Sequence, residues 1–322
     1  MSAVYEMGMI DAEIFYIDWP PAYIWSPDKL KQLSAYKLIV VNSSSEHWGD
    51  GCGSEAARKC QDANLNFLVL THNPYEHLLH PRIMYYPYWY HHSVKCFNKP
   101  TVSTSKKYKL SCLNHSPRLH RISNYLLLLN KSYIDQTCIS FFNMKSDDVY
   151  YRDVDVVALT ELEITQWNNV KERLPGILGE KDFVNNLNIP AFTNTYINLV
   201  TETTVVPHIF ITEKTWKPIA TGMLFLIFGN AGTISHLRSL GVDVFDDIID
   251  HDYYDTQLNW RTRLHCIHEL IDQLVTYDLE HIFKITENRR IENQRKFFAG
   301  DFDTRYNQEI VSQIEKLKNY DI

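Results

Sequence analysis

Phe210-Ile211-Thr212-Glu213-Lys214-Thr215-Trp216-Lys217-Pro218-Ile219-Ala220-Thr221-Gly222 runs directly into Met223-Leu224-Phe225-Leu226-Ile227-Phe228, and then into Gly229-Asn230-Ala231-Gly232. The order reads as strand, acid–base pair, helix, glycine, strand, glycine turn. A helix between two buried strands is the repeating unit of a parallel sheet covered by helices. The Glu213-Lys214 pair then opens a helix whose first N–H groups are unpaired and whose dipole is positive at that end. Such a helix end, backed by a lysine, suits a phosphate. A surface helix start, with Glu213 favoured by the dipole, is the plainer alternative.

Upstream, Tyr196-Ile197-Asn198-Leu199-Val200-Thr201 reads as a strand ending at Glu202, at the edge where parallel sheets bind ligands. Glu202 suits a ribose diol, or else caps the following loop. Further back, Leu113-Asn114-His115-Ser116-Pro117-Arg118-Leu119-His120-Arg121 follows a strand at 108–113 and opens a helix at 117–130, with Ser116 as cap and Pro117 in the first turn. Arginine forks at such a turn match phosphate oxygens.

The same alternation fills the first hundred residues. Strands are expected at 13–19, 37–42, 66–71 and 83–89, the last interrupted by Pro87, with a helix at 54–63. The stretch 98–107, rich in Pro, Ser and Lys, reads as a linker. Beyond it, a strand at 138–142 and helices at 160–174 and 234–240 complete a second α/β half. Helices at 258–277, 279–298 and 306–320 follow, with apolar residues at three- and four-residue steps. The division is 1–105, 106–255 and a helical extension, 256–322.

The chain of 322 residues has room for two domains, and its net charge of −7 disfavours a protein that clamps a nucleic-acid backbone. Against that total stands a local basic stretch: Lys95, Lys99, Lys106, Lys107 and Lys109. The six cysteines form no CxxC pair and read as reduced thiols of a cytoplasmic protein. No run has the length of a membrane span, and no signal pattern opens the chain. The pairs His77/His80 and His91/His92, and Asp153-Val154-Asp155, carry only weak metal-ligand spacing, so no metal is assigned.

Glu202-Thr203 followed by Phe210-Ile211-Thr212-Glu213-Lys214 resembles the donor-binding motif of family 10 (fucosyltransferase-type) glycosyltransferases. That motif carries an Asn where Thr203 stands and a Tyr where Phe210 stands. Arg121, with Tyr125 and Leu128 on the same helix, is similar to that family's phosphate-binding arginine. The resemblance covers residues 108 to 232 and extends to short phage-encoded members, whose motifs look like Pro117-Arg118-x-His120-Arg121 and the Glu213 to Ala220 run.

The resemblance implies a GT-B fold: two Rossmann-like domains facing a cleft, with the C-terminal helices packing back. It implies a nucleotide-sugar donor, inversion by direct displacement, and no obligatory metal or other cofactor. Lys214 and Arg121, with Arg118 beside them, would hold the diphosphate. Glu202, Thr203, Phe210 and Glu213 would border the ribose or sugar. The family's catalytic carboxylate falls at His72, in Leu70-Thr71-His72-Asn73, so His72 is the first candidate base, followed by Glu76 and Glu46. The acceptor is left open between a glycan and a hydroxymethylated pyrimidine in phage DNA, which would have to be flipped out of its stack. A non-catalytic nucleotide- or sugar-binding protein is the third reading.

Overall fold

The computed structural model describes residues 13–18, 26, 32–44, 52–100, 106–114, 117–141, 158–171, 185–205 and 208–319. Along the chain these form β1 (Ile14–Asp18), β2 (Leu38–Ser43), α1 (Cys52–Asp62), β3 (Phe67–Thr71), β4 (Ile83–Tyr85), α2 (Tyr88–Cys96), β5 (Tyr108–Asn114), α3 (Leu119–Leu129), β6 (Thr137–Phe141) and α4 (Glu161–Val170). There follow α5 (Pro190–Thr193), β7 (Thr195–Thr201), α6 (Glu213–Ala220), β8 (Leu224–Phe228), α7 (Thr233–Ser239), α8 (Asp252–Asp255), α9 (Trp260–Leu274), α10 (Leu279–Ile285), α11 (Glu287–Ala299) and α12 (Thr304–Lys318). They belong to two units, 1–91 with 303–322, and 92–302.

The first unit is built on a parallel sheet in the order β1-β2-β3-β4. Its strands are apolar on both faces because both faces are covered. Ile17, Ile39, Val41, Phe67 and Val69 point to one side, against Ala56, Ala57 and Cys60 of α1. Ile14, Leu38, Val40, Leu68 and Leu70 point to the other, against Ile310, Ile314 and Leu317 of α12. Asn66 ties the arrangement by donating from Nδ2 to the Leu317 carbonyl at 2.8 Å.

The expected division 1–105, 106–255 and 256–322 is thus replaced. Only the final helix returns to the first unit, because the sheet face it covers would otherwise expose aliphatic side chains. Two elements also differ from expectation. The strand foreseen through 83–89 stops at Tyr85, and α2 starts after Pro87, whose carbonyl accepts from Tyr90 and His91. The helix foreseen over 279–298 breaks at Thr286, which ends α10 and starts α11, with its hydroxyl donating to the Ile282 carbonyl at 2.8 Å.

The second unit holds another parallel sheet, ordered β6-β5-β7-β8. From β5 the chain passes to β6 on one side, then returns to β7 on the other. The connections leaving β5 and β7 therefore diverge, and the crevice at their carboxyl ends is the topological switch point of the sheet. The segment Phe210 to Thr212, expected as strand, is not part of the sheet; it crosses this edge and delivers Thr212 as the cap of α6. At its other end α6 closes in a Schellman turn: Gly222 N–H bonds the Ile219 carbonyl and Met223 N–H the Pro218 carbonyl. Gly222 has φ +62°, which explains the glycine before β8. None of the six cysteines forms a disulfide.

Candidate functional site

The switch point gathers the residues that the sequence motifs single out. Asn114 ends β5 and accepts a hydrogen bond from the Thr201 hydroxyl at the end of β7. Arg118, which precedes α3, donates from Nη1 to the Thr203 carbonyl at 2.8 Å. On the first turn of α3, His120 donates from Nε2 to the Glu202 carbonyl at 2.9 Å. Arg121 donates from Nη2 to the same carbonyl at 3.0 Å and lies 3.4 Å from that of Thr201. The strand–helix turns of two strands that neighbour each other in the sheet, β5 and β7, are thereby locked together.

Glu202 is the centre of this lock. Its side chain is fully buried, yet its carboxylate accepts from four donors. Oε1 takes the Thr212 N–H at 3.0 Å and the Thr215 hydroxyl at 2.7 Å. Oε2 takes the Thr212 hydroxyl at 2.6 Å and the Thr203 N–H at 3.1 Å. Satisfaction of this kind is what lets a carboxylate sit inside a protein. Gly229, just past β8, provides the space: a Cβ there would lie 3.3 Å from Cβ and Cγ of Glu202. Glu202 therefore shapes the site and does not present its carboxylate to a ribose diol.

Thr212 hands this order on to Lys214. The Lys214 ammonium donates to the hydroxyls of Thr212 at 3.0 Å and Thr203 at 3.1 Å, and lies 3.3 Å from the Glu213 carboxylate. Burial works to raise the Glu213 pKa, but Lys214, Lys217 and its own backbone N–H outweigh it and bring it to about 2. Lys217, one turn along α6, is brought down to about 8 by burial, with Glu213 opposing. Burial, then Arg118, lowers Arg121 to about 10. His120 is pushed well below its usual range, first by burial and then by Arg121. Arg118, Arg121, Lys214 and Lys217 thus face two carboxylates, Glu202 and Glu213, and the edge keeps a surplus of positive charge.

Within the cluster, exposure sorts the residues. Lys214 and Arg118 are partly open to solvent, and the side chain of Lys214 is 22% exposed. Arg121 is only 2% exposed, with its Nη2 group turned onto the β7 carbonyls. The expected diphosphate ligand is thus a buried tie. Phe210 is likewise buried; its N–H donates to Asn230 Oδ1 at 3.1 Å. Thr203, where the family motif has Asn, offers its hydroxyl to Lys214.

The candidate bases belong to the first unit. His72 follows β3 at the carboxyl edge and is mostly buried, with Nδ1 3.3 Å from the Ser43 carbonyl. Glu76 is buried, and both its oxygens are engaged. Oε1 accepts the Ser54 N–H at 2.9 Å in the first turn of α1, and Oε2 accepts the Thr71 hydroxyl at 2.5 Å. Glu76 thus closes a helix N-terminus by accepting one of its unpaired backbone N–H groups. Glu46 and Asp153-Val154-Asp155 lie outside the described residues.

Among the described residues, no group of three or more His, Cys, Asp or Glu side chains converges as a metal site would. His91 pairs with Asp303, and His80 Nδ1 accepts the Arg82 N–H at 3.1 Å. The basic stretch loses two members to internal contacts. Lys106 donates to the Thr193 carbonyl at 2.6 Å, and Lys109 to that of Val275 at 3.0 Å. No helix among the described residues is long and apolar enough to cross a membrane.

The motifs point to Glu202, Glu213 and Lys214, but no role is read from them for Asn114, Thr212 or Thr215. The available signal is the Thr203, Thr212 and Thr215 set around one acidic residue, since threonine is a natural cap and carboxylate donor. No protein-family model matches this sequence, and no curated protein is significantly similar to it.

Proposed function

We propose that the protein is a nucleotide-sugar-dependent glycosyltransferase of GT-B type. The observation that carries the reading is the gathering of Arg118, Lys214 and the α6 N-terminus at the switch point of the second sheet, with positive charge in excess. That edge suits a leaving nucleoside diphosphate, whose growing negative charge needs fixed cations and dipoles rather than an obligatory metal. In the reaction, the acceptor oxygen bonds the anomeric carbon as the bond from that carbon to the diphosphate oxygen breaks. The electron pair leaves with the diphosphate, and the acceptor proton passes to a base, for which His72 is the candidate. Attack opposite the leaving group inverts the anomeric centre. The acceptor is a glycan or another small hydroxyl compound; the internal engagement of Lys106 and Lys109 weighs against a DNA base.

One observation favours a second reading, a non-catalytic nucleotide-binding protein: both oxygens of Glu76 are already engaged within the protein. Incubation with a panel of nucleotide-sugars and acceptor saccharides, with released nucleoside diphosphate as readout, decides between the two. Turnover abolished by His72→Ala supports the transferase. Binding of a nucleoside diphosphate with no hydrolysis or transfer from any donor leaves the binding protein.

A further inference from the structure

A cavity lies at the opposite edge of the same sheet. It has a volume of about 620 Å³, within the roughly 300–1,000 Å³ of small-molecule sites. It is bordered by Tyr196 at the start of β7, the Thr221-Gly222 turn before β8, and the facing sides of α10 and α11. The length of β7, roughly 20 Å at about 3.3 Å per residue, separates Tyr196 from Glu202. The cavity is therefore distinct from the candidate donor site and does not rest on it.

Its lining separates into a fixed floor and uncommitted walls. Arg290 stacks on Phe283, with the guanidinium carbon 3.3 Å from the ring centroid. Its donors are directed at the Gly222 carbonyl at 2.8 Å, the Phe283 carbonyl at 2.5 Å and the Thr286 hydroxyl at 3.1 Å. Tyr196 packs nearly at right angles to Phe283, with 5.5 Å between centroids, which completes an aromatic floor. Glu280, Lys284 and Glu287 line the cavity at one-turn steps and are exposed. None of the three is in an ion pair among the described residues.

Acids and a base alternating on one wall disfavour a ligand of either charge, since a phosphate meets two carboxylates and an organic cation meets a lysine. A neutral ring with several hydroxyls fits both signs. It donates to Glu280 and Glu287, accepts from Lys284, and lays its C–H face on Tyr196. We infer that this cavity is a second carbohydrate site, taking a neutral pyranose ring, free or within an oligosaccharide. Such a site would hold a saccharide on the nucleotide-binding unit independently of the donor.

Saturation-transfer NMR and calorimetry with glucose, galactose, maltose and lactose test the inference, with inorganic phosphate and spermidine as charged probes. At least one saccharide should bind. Glu280→Gln with Glu287→Gln should weaken it about fivefold or more. Ile291→Trp, at an exposed lining position, should block it at an unchanged melting temperature. The inference is overturned if no saccharide binds, if binding is unchanged in Ile291→Trp, or if only the charged probes bind. The thermal response to nucleoside diphosphates, read on the same variants, reports on the donor site separately.

Discussion

Replacing Glu202 by Gln preserves shape but cannot preserve the hydrogen bonds. Each carboxylate oxygen accepts one backbone N–H and one threonine hydroxyl. A hydroxyl can rotate to accept from an amide; a backbone N–H cannot. Whichever way the Gln amide is turned, its NH2 faces the N–H of Thr203 or of Thr212, donor against donor. One buried backbone donor is left unsatisfied, at about 1–3 kcal/mol, and charge-assisted bonds to the remaining donors weaken. A total loss of about 2–4 kcal/mol follows, or roughly 5–15 °C in the melting temperature of a unit the size of 92–302. Thermal unfolding followed by circular dichroism measures it. Because Thr212 also orients Lys214, nucleoside diphosphate affinity should fall at temperatures where the variant is folded. A Glu202→Gln protein that melts within a degree of the wild type would refute the role assigned to this carboxylate.

In the first unit, a Cβ at Gly53 would lie 2.8 Å from Glu76 Oε2 and 3.0 Å from its carboxyl carbon. Gly53→Ala should therefore cost about 1–3 kcal/mol in denaturant unfolding, and a neutral effect would mean that Glu76 does not close α1. In the second unit, burial brings His236 and His251 down to about 4 and His268 to about 3 from 6.5. Depressed histidines contribute nothing above pH 6.5, where folded and unfolded chains are both neutral. As pH falls from 6.5 towards 4, only the unfolded chain takes up the three protons. Stability then falls by about 4 kcal/mol per pH unit from these three rings, with the depressed His120 adding to the loss in the same direction, and circular dichroism should show acid unfolding within that window. Constant stability between pH 7 and pH 5 would contradict the burial of these rings.

The strands were legible because they are buried on both faces: 38–41, 67–70 and 224–228 are unbroken apolar runs. The start of α2 was not, since Tyr88-Trp89-Tyr90 has the composition of a strand and Pro87 serves equally well before a helix. The return of α12 was illegible for a different reason. Its apolar stripe shows that it packs, while its partner, the face carrying Leu38 and Val40, lies more than two hundred residues earlier. At the candidate site, residue types located the cluster and misjudged the direction of its side chains. Arg121 belongs to a helix buried at every position from Leu119 to Leu126, so it has no solvent side on which to meet a ligand. Glu202 is surrounded by threonines that no periodicity announces. In both cases a charged residue beside a ligand edge serves the scaffold, and exposure decides which of its neighbours can bind.

The central claim is that this edge holds a nucleoside diphosphate through Arg118 and Lys214. Calorimetric titration of UDP, GDP, ADP, CDP and TDP into the wild type, Lys214→Ala and Arg118→Ala tests it directly. The account predicts saturable binding of at least one of them, weakened about tenfold or more, some 1.4 kcal/mol, in each variant at an unchanged fold. Absence of binding by all five, or equal affinity in wild type and variants, would contradict it.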